Sequence, residues 1–293
     1  MKKVCVGITT KNRASVVGKA IDSALNQSYD NKEVIVFNDG STDGTKDLEN
    51  HFPKVKWIHS EKSIGIVNAR NTLMNSTDAD YFVSLDDDAW FLEGDEIEIG
   101  VKYMESDPNL GCICYDILQN KTLRFRKVDR TEPIESNIFV GCGYMHLLKA
   151  VRDVGSYIQF PLPYGHEEKD LSIRMLDAGY RILFLPGVHV WHEHTGMERN
   201  AMEQARSFLI NDLIFQFRRV PLIYLLPVLV NSMIRKLKRK RHDDISVVRV
   251  IFSFIKFIPS QFKYVKRIRR SSYIRYRKLS KSYLGYLYKN AQK

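Results

Sequence analysis

The sequence predicts an α/β protein with a mostly parallel central sheet flanked by helices, and a basic helical extension behind it. Roughly the first 90 residues alternate short β-branched runs with helical patterns, which is typical of a doubly wound sheet. Each of these predicted strands ends in polar residues. With 293 residues and 44% hydrophobic content, the chain can bury a substantial core.

The first part of the chain contains four predicted strands and two predicted helices. Short apolar runs predict strands at residues 4–9, 34–37, 55–59 and 81–85. Apolar residues at helical spacing predict one helix over residues 16–25 and a second over residues 66–74. Helices between strands favour parallel pairing, because a parallel connection requires a crossover.

A second group of elements is predicted after Pro108. Three further strands are expected, at residues 110–118, 124–128 and 138–143. An amphipathic helix is expected over residues 169–178, and one more strand over residues 181–185. We therefore expect one large α/β domain over residues 1–200.

The net charge of +11 is divided unevenly along the chain. Residues 1–200 carry 23 Lys and Arg against 30 Asp and Glu, whereas residues 201–293 carry 22 against 4. The second part also contains an apolar stretch at residues 220–234, which is shorter than the ~18–20 residues of a spanning helix. A basic run at residues 235–241 follows it. This combination predicts a basic amphipathic helical extension that binds an anionic membrane surface.

The four cysteines lie in apolar, strand-like segments. Cys112 and Cys114 are separated by one residue, which is not the spacing of a zinc or thioredoxin motif. We therefore expect reduced, buried cysteines, as in a cytosolic protein. The N-terminal apolar run is too short for a signal peptide. These features predict a cytoplasmic protein, peripheral on the cytoplasmic face of the cell membrane.

Polar segments follow three of the predicted strands. They lie at residues 9–13, 38–44 and 86–88. Because open parallel sheets bind ligands beyond the carboxyl ends of their strands, these segments are expected to meet at one site.

The acidic triplet Asp86, Asp87 and Asp88 is the clearest chemical signal in this group. Three adjacent carboxylates oppose one another's ionisation unless a cation neutralises them. Mg²⁺ or Mn²⁺, bound by carboxylates and substrate phosphates, would do so and would stabilise a departing diphosphate. The simpler interpretation is a solvated acidic turn, but the position at the ligand edge favours a metal site.

Five motifs in order carry a family resemblance. They are VGITTKNR at residues 6–13, VFNDGSTD at 36–43, Gly65 with ARN at 69–71, LDDD at 85–88 and HEEKDLSIR at 166–174. Over roughly residues 3–200, the chain resembles glycosyltransferase family 2, whose members are inverting enzymes with the GT-A fold. The resemblance implies a metal-dependent transferase that uses a nucleotide-sugar donor.

The resemblance assigns the donor pocket to several positions. Residues expected to contact the nucleotide or donor are Thr9, Thr10, Asn12, Arg13, Asp39, Arg70, Asp86 and Asp87. Asp39 would accept a hydrogen bond from the base, commonly uracil. Asn38 replaces the more usual Asp. The simpler interpretations are a turn carboxylate for Asp39 and a surface arginine for Arg70.

Metal ligands and a base are also implied. Asp88, Asp86 and His192 correspond to the metal ligands, for Mn²⁺ or Mg²⁺. His189, His192 and His194 lie close together in the sequence, so one or more of them could be structural.

An inverting transfer needs a base to deprotonate the acceptor hydroxyl, and Glu168 occupies that position. Glu167 or Asp170 is the alternative. Acidic residues could instead stabilise the N-terminus of the helix. Gly141 and Gly143 suggest a close backbone approach near the sugar, or simply a turn. Trp90 and Tyr164 could stack on an acceptor sugar, or lie in the core.

The predicted reaction is transfer of a sugar from a UDP- or dTDP-sugar to a hydroxyl of a glycan or lipid-linked acceptor, as in cell-surface polysaccharide synthesis. A sugar nucleotidyltransferase is an alternative, but the loop at residues 9–13 lacks glycine. Nucleic-acid binding by the Tyr- and Arg-rich extension is another, although nucleic acid would not bury the apolar stretch at residues 220–234. A processive synthase would add a Gln-x-x-Arg-Trp motif and several spanning helices, and the sequence has neither.

Overall fold

The computed structural model describes residues 1–119, 129–163, 165–193, 201–238 and 247–291. Its described strands form one nine-stranded sheet with the order β3-β2-β1-β4-β8-β6-β9-β5, and β7 pairs with β9. The strands are β1 Val4–Thr10, β2 Lys32–Asp39, β3 Lys56–Ser60, β4 Tyr81–Asp86, β5 Ala89–Phe91, β6 Leu110–Gln119, β7 Ile134–Glu135, β8 Tyr144–Leu147 and β9 Arg181–His192.

Helices cover the sheet and form the extension. They are α1 Val17–Leu25, α2 Ile66–Asn75, α3 Glu96–Ser106, α4 Leu148–Val154, α5 Glu167–Asp177, α6 Ala201–Arg219, α7 Leu222–Lys238, α8 Val247–Gln261 and α9 Arg270–Ala291. Short 3-10 helices lie at Gly44–Asn50 and Phe262–Tyr264.

The first four strands pair in parallel, with β1 between β2 and β4. Every residue of β1 is buried, because helices pack on both faces of the sheet. The register places Thr9 beside Asp86, so the carboxyl ends of β1 and β4 meet. The predicted α/β class, and every strand and helix predicted over this part of the chain, is confirmed.

The second half of the sheet is mixed. β8 runs antiparallel between β4 and β6, β9 runs parallel to β6, and β5 pairs antiparallel with β9. The strand predicted over residues 181–185 is longer, because β9 continues past Pro186 with a bulge opposite Tyr115 and Asp116. The helix predicted at residue 169 begins two residues earlier, at Glu167.

The strand predicted at residues 138–143 is wrong. This segment is irregular, and the strand β8 begins only at Tyr144. Gly143 has φ +67°, outside the strand region of the backbone map, and the Gly141 carbonyl accepts a hydrogen bond from a side chain instead of from a strand. The strand predicted at residues 124–128 lies outside the described residues.

The helices of the extension pack onto the α/β domain. One hydrophobic cluster contains Phe82 of β4 and Leu171 of α5 together with Ile214 of α6, Phe254 of α8 and Tyr276 of α9. The apolar stretch predicted at residues 220–234 is largely α7, and Pro227 lies within this helix. Of the basic run at residues 235–241, the last three residues lie outside the described part of the chain.

All four cysteines are free and buried, as the sequence predicts. Among the described helices, none combines the length and the apolar composition that a bilayer crossing requires.

Candidate active site

The acidic triplet lies at the carboxyl end of β4. Asp86 is the last residue of this strand, and Asp87 and Asp88 form the turn into β5. Because β5 pairs with β9, Ala89 lies opposite His192. The sheet therefore brings His192 to the triplet from a segment more than 100 residues away in the chain.

His192 contacts two of the three carboxylates. Its Nε2 atom lies 3.1 Å from Asp88 Oδ1 and 4.0 Å from Asp86 Oδ2. His192 and Asp88 are buried, whereas the Asp86 carboxylate is partly open to solvent. The three side chains that the sequence predicts as metal ligands therefore lie together, and their binding of a metal stays a prediction.

Arg13, from the loop after β1, contacts the other side of the triplet. Its Nη1 atom lies 3.1 Å from Asp88 Oδ2 and 3.4 Å from Asp87 Oδ1. Burial raises the pKa of Asp87 to about 7, although Arg13 opposes the shift. The triplet is therefore a largely desolvated acid cluster, and the interpretation as a solvated turn is wrong.

Arg70, from α2, joins the triplet to a second acidic side chain. Its Nη2 atom donates to Asp86 Oδ1 at 3.0 Å and to the Gly141 carbonyl at 2.7 Å. Its Nη1 atom donates to Glu168 Oε1 at 3.3 Å. Arg70 is 3% exposed, so it is not a surface arginine. The guanidinium bridges two carboxylates that lie 82 residues apart in the sequence.

Glu168 lies in the first turn of α5. Burial, together with the neighbouring Glu167 carboxylate, raises the pKa of Glu168 to about 7, while Arg70 opposes the shift. A carboxyl group with this pKa can accept a proton near neutral pH. Asp170, one alternative base, is fully buried and bonded to Arg174 and Arg219, which makes its role structural.

Gly141 lies against the side chains of Glu168 and Arg70. A Cβ atom at this position would lie 2.5 Å from Glu168 Oε1 and 3.0 Å from Arg70 Nη2. The backbone therefore lies close to both side chains, and a larger residue at position 141 would require the Glu168 carboxylate to move.

The loops that follow β1 and β2 are tied together. Asn12 has φ +51°, and its Oδ1 atom accepts a hydrogen bond from the Thr42 amide at 2.7 Å. The backbone amide of Asn12 donates to Ser41 Oγ at 2.9 Å. Thr9 and Thr10 end β1 beside these loops and are buried. The predicted nucleotide-binding residues therefore share one edge of the sheet.

Asp39 binds the segment that leads into α2. Its carboxylate accepts hydrogen bonds from Ser63 Oγ at 2.7 Å, from the Ile64 amide at 2.6 Å and from the Gly65 amide at 3.1 Å. Asn38 contacts His59 Nδ1 at 3.1 Å. Asp39 thus organises the loop around the predicted base pocket, and its contact with a base stays a prediction.

The chemistry of the ligand group suits a hard divalent cation. Asp86, Cys142 and His192 each offer an atom within 4.8 Å of the others, and Asp88 contacts His192. Burial raises the pKa of the Cys142 thiol well above its usual range. Sulfur is also a softer ligand than Mn²⁺ or Mg²⁺ prefers. Carboxylate oxygens with one imidazole fit Mn²⁺ well and Mg²⁺ less well.

Some predicted residues have other partners. His189 lies 3.2 Å from Glu93, which makes it a structural histidine. Lys19 lies 4.9 Å above the ring of Trp90, and Trp90 also packs on Trp191. His194 and Tyr164 lie outside the described residues.

Comparison with known proteins shows which enzymes the chain resembles. The model of the family described as "Glycosyl transferase family 2" matches residues 5–149. The chain is 35% identical over 114 residues to the chondroitin synthase of Pasteurella multocida (strain Pm70), a match that spans 38% of this chain and 12% of that relative. It is 25% identical over 189 residues to the Escherichia coli UDP-Glc:alpha-D-GlcNAc-diphosphoundecaprenol beta-1,3-glucosyltransferase WfgD, which spans 60% of this chain and 74% of that relative.

Solved structures share the fold. Residues 1–349 of TarS from S. aureus, in complex with UDP-GlcNAc, match with a TM-score of 0.65 and 12% identity, over 90% of this chain and 82% of that chain. The mannosyltransferase PcManGT from Pyrobaculum calidifontis, in complex with GDP-Man and Mn²⁺, matches with a TM-score of 0.59 and 17% identity. This match covers 96% of this chain and 83% of that chain. The chain has the GT-A fold, and its residues 5–149 form a glycosyltransferase family 2 domain.

Proposed function

We propose that this protein transfers a sugar, with inversion, from a nucleoside-diphosphate donor to an acceptor hydroxyl. The observation that carries the proposal is the Arg70 bridge, since Arg70 contacts Asp86 at the metal-ligand group and Glu168 at the base position. A departing diphosphate needs a nearby positive charge, and an attacking hydroxyl needs a nearby carboxylate to accept its proton. In this proposal, Asp86 serves the metal and Glu168 serves as the base, and the contacts of Arg70 with both carboxylates support it.

The donor end is formed by the loops after β1, β2 and β4. Asp86, Asp88 and His192 would hold Mn²⁺ or Mg²⁺, and the bound cation would neutralise the diphosphate as it leaves. Arg13 holds Asp87 and Asp88 in place. Asp39 and its loop would form the wall of the base pocket, and UDP- or dTDP-sugars are the proposed donors.

The acceptor end is formed by Glu168. Its carboxylate takes the proton of the acceptor hydroxyl while the hydroxyl oxygen attacks the anomeric carbon. The bond between that carbon and the diphosphate oxygen breaks, and the bonding electrons leave with the diphosphate. Arg70 fixes the carboxylate orientation, and Gly141 leaves room for it.

A donor panel tests this function. UDP-, dTDP- and GDP-sugars are supplied with Mn²⁺ or Mg²⁺, and nucleotide release and glycosylated product are measured with and without EDTA. We expect metal-dependent release from at least one donor, and a loss of about 10²–10⁴-fold in Glu168→Gln. Asp88→Asn should also lose activity. Undiminished activity in both variants would refute the assigned roles, and diphosphate release from a nucleoside triphosphate and a sugar phosphate would indicate a nucleotidyltransferase.

A lipid-linked acceptor at a membrane is the second part of the proposal. The Escherichia coli relative is named for a diphosphoundecaprenol-linked acceptor. In the extension, α7 exposes Leu222, Ile223 and Leu226 at 66–71%, and α8 exposes Val248 and Phe252 at 70–76%. Exposed apolar helix faces within a strongly basic segment fit an anionic membrane surface on the cytoplasmic side.

Vesicle flotation tests the membrane part separately. We expect the protein to float with vesicles that contain anionic phospholipid, and not with neutral vesicles. The double variant Leu226→Glu and Phe252→Glu should remain in solution. Salt-dependent binding to oligonucleotides without flotation would favour a nucleic-acid partner instead.

A further inference from the structure

The first turn of α5 has two faces with different partners. Glu168 faces Arg70 and Gly141, at the active site. Three neighbouring residues, His166, Lys169 and Asp170, contact α6 of the extension instead. The base is therefore carried by one turn of helix whose other side lies against the extension.

Asp212, in the middle of α6, holds the start of this turn. Its Oδ1 atom lies 2.9 Å from Lys169 Nζ and 3.2 Å from His166 Nε2. His166 has φ +81°, an unfavourable conformation for a residue with a side chain. Such a conformation persists only where surrounding contacts fix it, and the contact with Asp212 is one of them.

Arg219, the last residue of α6, holds the other end of the turn. Its Nε atom donates to Asp170 Oδ1 at 2.6 Å, and its Nη2 atom donates to Asp170 Oδ2 at 3.1 Å. Its Nη1 atom donates to the carbonyls of Tyr264 and Lys266, both at 3.1 Å. Both charged groups of the pair are almost fully buried. One guanidinium therefore joins α5, α6 and the segment after α8.

We propose that Asp212 and Arg219 are positioning residues that hold Glu168 at the reacting hydroxyl, which makes the extension part of the catalytic apparatus. The proposal rests on the proposed function, because it assigns Glu168 as the base. A forked arginine–carboxylate pair fixes orientation as well as distance. A misplacement of about 1 Å at the reacting groups can cost ~10²-fold in rate. Contacts outside the site that position the base can therefore control the rate.

The test variants are Arg219→Lys and Asp212→Asn. Lysine keeps the charge but cannot form the forked pair, and asparagine keeps the shape but loses the charge. Arg218→Lys is the matched control, because Arg218 is equally buried in α6 and donates instead to Gln261 and to the Gln159 carbonyl. We expect kcat to fall about 10- to 100-fold in the test variants. Donor affinity should stay within about twofold, and Arg218→Lys should keep its kcat per folded molecule.

Hydrogen–deuterium exchange of α5 gives a second measurement that does not need activity. Amides of residues 167–171 should exchange faster in Arg219→Lys and Asp212→Asn than in Arg218→Lys. An equal loss of kcat in the control and test variants, or unchanged exchange in α5, would overturn the inference. An inactive wild type with these exchange differences would refute the proposed function and leave the positioning of α5 supported.

Discussion

At the scale of single residues, the site depends on charged groups of opposite sign that are paired with one another and largely buried. Arg70 is buried between Asp86 and Glu168, and this pairing offsets the cost of removing its charge from water. The same burial raises the pKa of Glu168 to about 7, despite the attraction of Arg70. A carboxylate that would otherwise be fully ionised at neutral pH is thereby made basic enough to remove a proton.

The pH dependence of the rate should reflect this pKa. Glu168 can act as a base only when it has lost its proton, so kcat at saturating metal and donor should rise with pH to about 7 and then level off. Below that pH, the rate should fall ~10-fold per pH unit. The steady-state rate of Glu168→Gln should be low and should lack this limb. A limb near the ordinary Glu pKa of 4.5 would contradict the role of burial.

Gly141→Ala should displace the base. The new methyl group would lie 2.5 Å from Glu168 Oε1, so the carboxylate or the backbone has to move. We expect kcat to fall ~10²-fold, with nucleotide affinity changed about twofold or less. Gly18→Ala is the control, because its nearest neighbour would be Phe52 at 3.8 Å. Full activity in Gly141→Ala, measured by steady-state kinetics, would show that the close approach is unimportant.

At the scale of elements, hydrophobic periodicity correctly predicts the helices and strands whose structure is determined mainly by their own sequence. β1, α1 and β4 follow their apolar patterns closely. Residues 138–143 do not, because the Gly141 carbonyl bonds to Arg70, a partner that local propensity cannot include. The acid cluster was predicted from its position after β4, whereas the Arg70 bridge joins α2, β4 and α5, which are far apart in the sequence.

Asp39→Ala should loosen the loop before α2. The change leaves the Ser63 hydroxyl and the Ile64 and Gly65 amides without their acceptor. Because these residues are exposed, water can replace much of the bonding, and we expect a loss of on the order of 1 kcal/mol in unfolding free energy.

In Asp39→Ala, the loss in free energy of nucleotide binding should be larger than the loss in free energy of unfolding. Chemical denaturation and titration with UDP measure the two effects. Ser63→Ala removes only one of the three donors and should have a smaller effect on both. Equal effects of the two variants would argue that the carboxylate does not organise the loop.

At the scale of the whole molecule, the composition predicts a boundary near residue 200, and the proposed domain division follows it. The hydrophobic cluster nevertheless crosses this boundary, from Leu171 to Ile214 and Tyr276. Sequence patterns could not identify Asp212 and Arg219 as important, because each is one charged residue on an ordinary helix. Their significance comes from partners more than 40 residues away.

The full chain should therefore unfold in one cooperative transition. All three tryptophans lie within residues 1–200, so their fluorescence reports on the α/β domain, while far-UV circular dichroism also reports on the extension helices. Coincident denaturation curves from the two probes are expected. A chain cut after residue 200 should be markedly less stable. Two separated transitions would show instead that the parts are energetically independent.

The buried pair of Asp170 and Arg219 also limits how this protein can be recombined with its relatives. A chimaera joined near residue 200 would separate Asp170 from Arg219, and either charge left buried without its partner would destabilise the fold. Recombination at this boundary would therefore require transfer of α5, α6 and the segment around Lys266 as one block.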